Sequence, residues 1–282
     1  MKRILITGVS TGLGRAFAVG ALEAGHQVVG TVRNPDDAAA FESLSPAARA
    51  RVLDVTDDAA TVRTVADVEE TIGAIDVVIA NAGYGVEGTF EETPLSEVRA
   101  QFATNVFGVA ATLQAVLPYM RQRRAGHLMA VTSMGGLMAV PGMSAYCASK
   151  FAVEGMLESI RKEVASFGIK VTAIEPGSFR TDWAGRSMTR ADRTIDDYDE
   201  LFDPIRAARV KASGNQLGNP VKAAEAVLTI LDETEPPAHL VLGSDALRFI
   251  GAARAAVDED IRTWESLSRS TDFAEGAQLG AN

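Results

Sequence analysis

Tyr146 and Lys150, with Ser133 thirteen residues before the tyrosine, are the residues whose types and spacing could do chemistry. A tyrosine and a lysine four positions apart lie on one helix face, one turn apart. An ammonium beside a phenol favours the phenolate, so a proton donor with a reference pKa of ~10 becomes usable nearer neutrality. A serine hydroxyl can hold a carbonyl or alcohol oxygen beside that phenol. These parts protonate an oxygen while another group delivers hydride to its carbon. A Tyr-x-x-x-Lys also arises by chance on amphipathic helices, so a second signal has to support it.

That signal is Ile4-Leu-Ile-Thr7-Gly8-Val-Ser10-Thr11-Gly12-Leu13-Gly14. An apolar strand-type run ends in a glycine-rich turn, and a helical pattern follows at once. Glycines permit a tight turn and close approach of backbone to a pyrophosphate, which would sit at the helix N-terminus where N–H groups are unpaired. The spacing is Gly-x-x-x-Gly-x-Gly, not the commoner Gly-x-Gly-x-x-Gly.

Together these residues resemble the short-chain dehydrogenase/reductase family. The resemblance spans residues 2–245 and includes Thr7-Gly8-x-x-x-Gly12-x-Gly14, Asp54-Val55, Asn81-Ala82-Gly83, Asn105, Ser133, Tyr146-x-x-x-Lys150 and Pro176-Gly177 followed by Thr181. It implies that Tyr146 is the general acid in reduction and the base in oxidation. It also implies that Lys150 binds the nicotinamide ribose and lowers the Tyr146 pKa, that Ser133 holds the substrate oxygen, and that Asn105 supports a water-mediated relay to Lys150. Ser10, Thr11, Gly12 and Leu13 would line the pyrophosphate turn, Asp54-Val55 would contact the adenine, and Asn81-Ala82-Gly83 would border the adenosine half. Pro176, Gly177, Phe179 and Thr181 would hold the nicotinamide carboxamide or the pyrophosphate. Ala80 stands where many family members carry a second Asn. Without the resemblance, Asp54 or Asp57 could equally be a helix cap, and Asn-Ala-Gly or Pro-Gly ordinary turns.

The expected cofactor is NADP, with NAD possible. NAD-selective sites place Asp or Glu about twenty residues past the glycine turn. Here Val28-Val29-Gly30-Thr31-Val32-Arg33-Asn34 has no acid there, and Asp36 and Asp37 read as the start of a helix. Thr31 and Arg33 resemble the NADP-binding subset, although Thr11 stands where many of those relatives carry a second basic residue.

The 282 residues, 47% hydrophobic and 23% charged, suit one large α/β domain. A formal charge of −10 disfavours nucleic acid or anionic lipid as partner. The basic run Arg121-Gln-Arg-Arg124 reads as a solvated helix end. One cysteine, Cys147, excludes an internal disulfide and fits a reducing compartment, so a cytoplasmic protein is expected. The chain opens as a strand, so no signal peptide is expected, and no apolar run reaches the ~18–20 residues of a membrane span. His26, His127 and His239 share no metal-ligand spacing, so no metal is expected. No serine occupies Gly-x-Ser-x-Gly, which removes a hydrolase triad.

The elements that must position these residues alternate. Strands are predicted at Arg3–Thr7, Gln27–Val32, Ala50–Asp54, Ile75–Ala80, Gly126–Thr132, Lys170–Glu175 and His239–Leu242, and helices at Ala59–Ile72, 96–122, Val221–Asp232 and Ser244–Leu267. Wholly apolar strands joined by helices imply a doubly wound parallel sheet, Rossmann-like, with ligands beyond the strands' C-terminal ends. Residues 1–245 form the expected dinucleotide-binding and catalytic domain, and 246–282 a C-terminal helical extension and tail, polar and poorly ordered from Ser268. From Thr181 to Asn219 the pattern is irregular, and Asp182–Leu217 is expected to be a mobile lid. Met134, Val140, Met143, Tyr84, Val86 and Trp183 should border a lipophilic ketone, aldehyde or secondary alcohol. The helices Glu97–Arg121 and Met143–Phe167 look apolar over much of their surface, and a homodimer or homotetramer is expected. The alternatives are a catalytically silent nucleotide-bound scaffold, or an epimerase or dehydratase, which the glycine spacing disfavours.

Overall fold

Apolar residues at both even and odd positions of a strand require cover on both sheet faces, and the chain supplies it. The computed structural model describes residues 1–273. Among these, the strands are β1 (Arg3–Thr7), β2 (Gln27–Val32), β3 (Ala48–Val52), β4 (Val77–Ala80), β5 (Gly85–Glu87), β6 (Gly126–Val131), β7 (Ile169–Pro176), β8 (Met188–Arg190) and β9 (His239–Leu242). Seven form one parallel sheet in the order β3-β2-β1-β4-β6-β7-β9, and β5 and β8 pair as a separate parallel ribbon. The order reverses direction between β1 and β4, which opens the crevice where such sheets bind ligands.

The helices are α1 (Gly12–Glu23), α2 (Pro35–Glu42), α3 (Asp58–Asp67), α4 (Leu95–Phe102), α5 (Gly108–Arg123), α6 (Ser144–Val164), α7 (Asp199–Ala212), α8 (Pro220–Thr229) and α9 (Ser244–Arg269). On one sheet face Ile4, Ile6 and Val28 pack with Phe17 and Ala21 of α1, Phe41 of α2 and Val227 of α8. On the other, Leu5, Val29, Val78 and Leu128 pack with Val65 of α3, Leu113 and Val116 of α5, and Val153 and Leu157 of α6. This matches the doubly wound α/β expectation.

Several boundaries differ from the sequence prediction. β3 runs Ala48–Val52 rather than Ala50–Asp54, so Asp54 lies past the strand, although Leu53 still donates to the Val32 carbonyl. α3 passes into a π-helical turn at Val68–Ile72, and α4 joins α5 through another at Ala103–Phe107. By length and composition the helix Leu95–Arg123 could cross a membrane, against the expectation that none would. No uninterrupted apolar run is needed for that, because its window averages over interspersed polar residues. Here its apolar face packs on α3 and the sheet.

The stretch after Thr181, expected to be irregular, contains β8 and α7. α7 was hidden because Pro204 falls inside it and its apolar residues are sparse among charges. α9 buries Asp245, Ala246 and Ile250 and is largely exposed beyond them. It extends to Arg269, so Ser268 is helical, and the remainder of the expected tail from residue 274 lies outside the described residues.

Candidate active site

The strands' C-terminal ends open into one cleft of about 1280 Å³. Gly8, Ser10, Thr11, Gly12 and Leu13 line one end, with Arg33, Asp54, Val55, Asn81, Ala82 and Gly83 beside them. Pro176, Gly177, Phe179 and Thr181 line the middle, next to Ser133, Tyr146 and Lys150. Gly14 and Asn105 lie behind the cleft wall, both buried.

Gly8 turns the chain out of β1 at φ +74°, a conformation that favours glycine. Its N–H donates to the Thr31 carbonyl at 3.1 Å and to the Thr31 hydroxyl at 3.2 Å. Thr31 therefore serves the turn itself. A Cβ on Gly14 would lie 2.2 Å from the Gly8 carbonyl oxygen, so only glycine lets α1 approach the turn this closely. Asn81 locks the arrangement: its Nδ2 donates to the Thr7 and Gly8 carbonyls at 2.9 and 3.0 Å, and its N–H donates to the Thr7 hydroxyl at 2.9 Å. The Asn81 side chain thus holds the turn from behind.

No side chain caps the N-terminus of α1, and its first turn carries no acid. The N–H groups there face the cleft and suit an anion. Asp54 accepts from the Thr56 N–H and hydroxyl at 3.0 and 2.8 Å, which holds its carboxyl below the usual range, while Asp57 is the residue that caps α3. Asn34 caps α2, with Asp36 and Asp37 in its first turn as expected, and Arg33 is exposed at the cleft edge. Arg33 makes no hydrogen bond or ion pair with a described residue. The N-terminus of α1 at this end of the cleft fits the pyrophosphate of a nicotinamide dinucleotide.

Ser133 lies two residues past β6, where its Oγ accepts the Gly135 N–H at 3.0 Å and caps the short turn Met134–Gly136. Tyr146 sits in the first turn of α6, its ring 5.1 Å from that of Trp183. One turn on, Lys150 donates from Nζ to the Val131 carbonyl at 2.8 Å and lies 5.8 Å from the Tyr146 ring centroid. Burial pushes the Tyr146 phenol up to about 12, with the Ser133 hydroxyl pulling the other way. Burial also pulls Lys150 down to about 8, opposed by Glu154. The expectation that Lys150 lowers the Tyr146 pKa is therefore corrected. Desolvation of the phenol is the leading influence, and the Lys150 ammonium turns to the Val131 carbonyl.

Asn105 lies in the π-helical turn, where its Oδ1 accepts from the Tyr84 N–H at 3.1 Å. Its Nδ2 donates to the Tyr84 carbonyl at 2.9 Å and to the Ser149 hydroxyl at 3.2 Å. It clamps the loop after β4 against α6.

Of the expected substrate neighbours, Tyr84, Met134, Val140, Met143 and Trp183 line the cleft. Val86 does not: it is 1% exposed and faces inward on β5. Sequence reasoning missed the groups that hold this end together. Glu87, its side chain wholly covered, accepts from Arg190 at 3.0 Å and Arg209 at 2.9 Å. Glu92, equally covered, accepts from Arg193 at 3.0 Å and from the N–H groups of Thr194 and Ile195. Asp245 accepts from the Ser178 N–H at 2.8 Å and so pins the segment after β7. These pairs join residues some seventy to more than one hundred positions apart, and no local spacing announces them.

The family model described as short chain dehydrogenase matches residues 2–192. The oxidoreductase BOA17 of Botryotinia fuckeliana is 39% identical over 93% of this chain and 96% of its own length. The 3-ketodihydrosphingosine reductase of Bacteroides thetaiotaomicron is 37% identical over 85% of this chain and 87% of its own. The solved short-chain dehydrogenase from Streptomyces avermitilis superposes with a TM-score of 0.89 at 38% identity, covering 96% of this chain and 98% of that one. With the glycine turn, the clamped asparagine and the Ser-Tyr-Lys group gathered in one cleft, this chain belongs to the short-chain dehydrogenase/reductase family of oxidoreductases.

Proposed function

We propose that this protein is an NADP(H)-preferring reductase of lipophilic ketones or aldehydes, with Tyr146 as its proton donor. A bound nicotinamide supplies the hydride. Gly8, Ser10, Thr11, Gly12 and Leu13 would hold the pyrophosphate, Arg33 the 2′-phosphate, and Pro176, Gly177, Phe179 and Thr181 the nicotinamide side. Lys150 would hold the ribose hydroxyls. Ser133 donates to the substrate carbonyl oxygen, and Tyr146 transfers its phenolic proton to that oxygen as the carbon is reduced. A phenol at about 12 is fully protonated at neutral pH, the form a reduction requires. Asn105 keeps the loop after β4 close to Lys150, as a Cβ on Gly83 would lie 3.1 Å from Asn105 Oδ1 and 3.7 Å from Lys150 Nζ.

The single observation that carries this reading is that Ser133, Tyr146 and Lys150 open into the same cleft as the α1 N-terminus, at an end walled by Met134, Met143, Trp183 and Met188. That wall supports a lipophilic substrate, and the Bacteroides relative is named for reducing a ketone. Absorbance of NADPH should fall when the protein is given long-chain ketones or aldehydes, and fall more slowly with NADH. No consumption of either cofactor across such a panel would leave the silent scaffold as the better reading.

We also place the protein in the cytoplasm, with neither nucleic acid nor membrane as partner, as a homodimer or homotetramer. The assembly would use the helices α4–α5 and α6, where Leu95, Phe107 and Phe151 are exposed. Light scattering should give two or four times the chain mass, and a monomer at micromolar concentration would overturn it.

A further inference from the structure

Behind Lys150, on the side away from the cleft, Glu154 of α6, Glu175 of β7 and His239 at the start of β9 converge. Both oxygens of Glu154 and Oε2 of Glu175 are buried with no hydrogen-bond partner among the described residues. Glu154 is 5% exposed and Glu175 0%. Gly136 makes the room: a Cβ there would lie 2.9 Å from Glu154 Cγ. Two buried carboxylates with open lone pairs carry a desolvation cost that one more charge-balancing group would offset.

His239 closes the cluster at the solvent rim, its side chain 41% exposed. Nδ1 lies 2.5 Å from Glu175 Oε1 and 3.8 Å from Glu154 Oε2, and one atom from each of the three residues falls within 4.8 Å of the others. On the ring's other side, Nε2 is 3.2 Å from Glu158 Oε1. Nδ1 here donates to Glu175 Oε1. An incoming ion would displace that proton, with Glu158 still accepting from Nε2 and holding the ring so that the freed Nδ1 lone pair joins Glu154 and Glu175. Metal-ligating histidines are commonly held this way.

We propose that Glu154, Glu175 and His239 bind a divalent cation of the zinc class. Two carboxylates and one imidazole are a donor set for Zn²⁺, and the exposed rim admits water as a fourth ligand. The charge of the ion cancels the two buried carboxylates. Its bonds would tie β9, the edge strand, to α6, the helix that carries Tyr146 and Lys150. The site is structural and takes no part in the proposed reduction. The ligands come from three separate elements, which is why histidine spacing alone gave no sign of it.

Calorimetric titration of the EDTA-treated full-length protein with ZnCl₂ tests this without reference to turnover. The expected result is one zinc per chain with micromolar or tighter affinity and a raised melting temperature. His239→Gln and Glu154→Gln should abolish that saturable site while circular dichroism shows both variants folded. Glu158→Gln, which removes only the outer partner of the ring, should weaken it about 10- to 100-fold. A flat titration would mean that a proton shared by Glu154 and Glu175 takes the place of the ion, and would overturn the proposal. Undiminished binding in folded His239→Gln would overturn it too, by placing the zinc on other surface acids.

Discussion

The two ends of the cleft are held by different forces. The cofactor end is a backbone construction: Gly8 bonds to Thr31, Asn81 bonds to the Thr7 and Gly8 carbonyls, and α1 closes on the turn through Gly14. The substrate end is covered by residues 188–209, attached to the segment after β4 by the short β5–β8 pairing and, over the rest of its length, by two carboxylates. Glu87 takes Arg190 and Arg209, with Arg206 at 3.9 Å, and Glu92 takes Arg193 and two backbone N–H groups. Neutral bonds between strand ends fix one geometry and are indifferent to pH. Ionic attachments of a distant segment depend on protonation and can be released. This cleft joins a seat held by backbone bonds to a cover held in good part by ion pairs, with Ser133, Tyr146 and Lys150 at the seam.

The largest effect is expected at that seam. Tyr146→Phe should lower turnover by about 10²–10⁴-fold, the usual contribution of a positioned proton donor, while cofactor still binds. Stopped-flow turnover and cofactor fluorescence titration read the two separately, and near-normal turnover would move the proton transfer to another group. The pH profile sharpens the point. Tyr146 is raised to about 12 and stays protonated, whereas Lys150 is lowered to about 8. Reduction should therefore decline as pH rises through about 8, when the ammonium loses its proton, well before the phenol ionises. A profile flat to pH 10 would remove Lys150's charge from the mechanism.

The rigidity of the seat can be broken from behind. Gly14 does not line the cleft, yet a Cβ at that position would meet the Gly8 carbonyl at 2.2 Å and Asn81 Nδ2 at 2.3 Å. Overpacking of this kind costs about 1–3 kcal/mol. Gly14→Ala should lower thermal stability by that order and weaken cofactor binding together with it. Unchanged melting and cofactor affinity would show that the turn yields and that the seat is not rigid.

How much was visible in the sequence follows the same division. The central strands of the main sheet were legible because burial on both faces writes an unbroken apolar run such as Ile4-Leu-Ile or Val77-Val-Ile-Ala, whereas the edge strand β3, Ala-Arg-Ala-Arg-Val with one face partly exposed, was found two residues out of place. The glycine turn and Tyr146-x-x-x-Lys150 were legible because their geometry is local, one turn or one helical repeat. The cover was not. β5 and β8 are three residues each, and α7 carries a proline and few apolar residues, so no periodicity marks them. Their partners, Glu87 and Glu92, look like ordinary surface acids until the fold buries them. Val86 was misplaced for the same reason, since the direction of a side chain on an unrecognised strand cannot be assigned. The Tyr146 pKa was misjudged because spacing shows the neighbouring charge and hides the burial.

The proposed preference for NADPH rests on one exposed charge at the seat's outer edge. Arg33 follows β2 directly, and the next acid along the chain in the cleft lining is Asp37, in the first turn of α2. Charged hydrogen bonds contribute about 1.5–3 kcal/mol, and exposure puts Arg33 at the low end. Arg33→Ala should lower the NADPH/NADH ratio of kcat/KM by roughly tenfold, mostly through KM for NADPH. An unchanged ratio, or a wild type that favours NADH, would refute the assignment of the 2′-phosphate to this residue.

The smallest effect, and the one that most directly separates seat from cover, concerns Glu92. Hydrogen bonds from Thr194, Thr89, Ile195 and Arg193 hold its carboxyl at about 2, below the ordinary 4.5. A depressed carboxylate stabilises the folded arrangement above its ordinary value, and the contribution is lost as pH falls from about 4.5 towards 2. The cover should accordingly loosen in mild acid before the seat does. In hydrogen exchange followed by mass spectrometry, and corrected for intrinsic pH dependence, peptides spanning 188–209 should lose protection below about pH 4.5 while those of β1 and α1 keep theirs. Glu92→Gln should reproduce that loosening at neutral pH, several-fold in exchange rate, because an amide cannot accept the four groups as a carboxylate does. Cofactor with a ketone substrate should restore protection if the cover closes over the reacting centre. If seat and cover lose protection together in acid, and the variant exchanges like wild type, the two are one rigid body, and the ionic attachments are incidental to access.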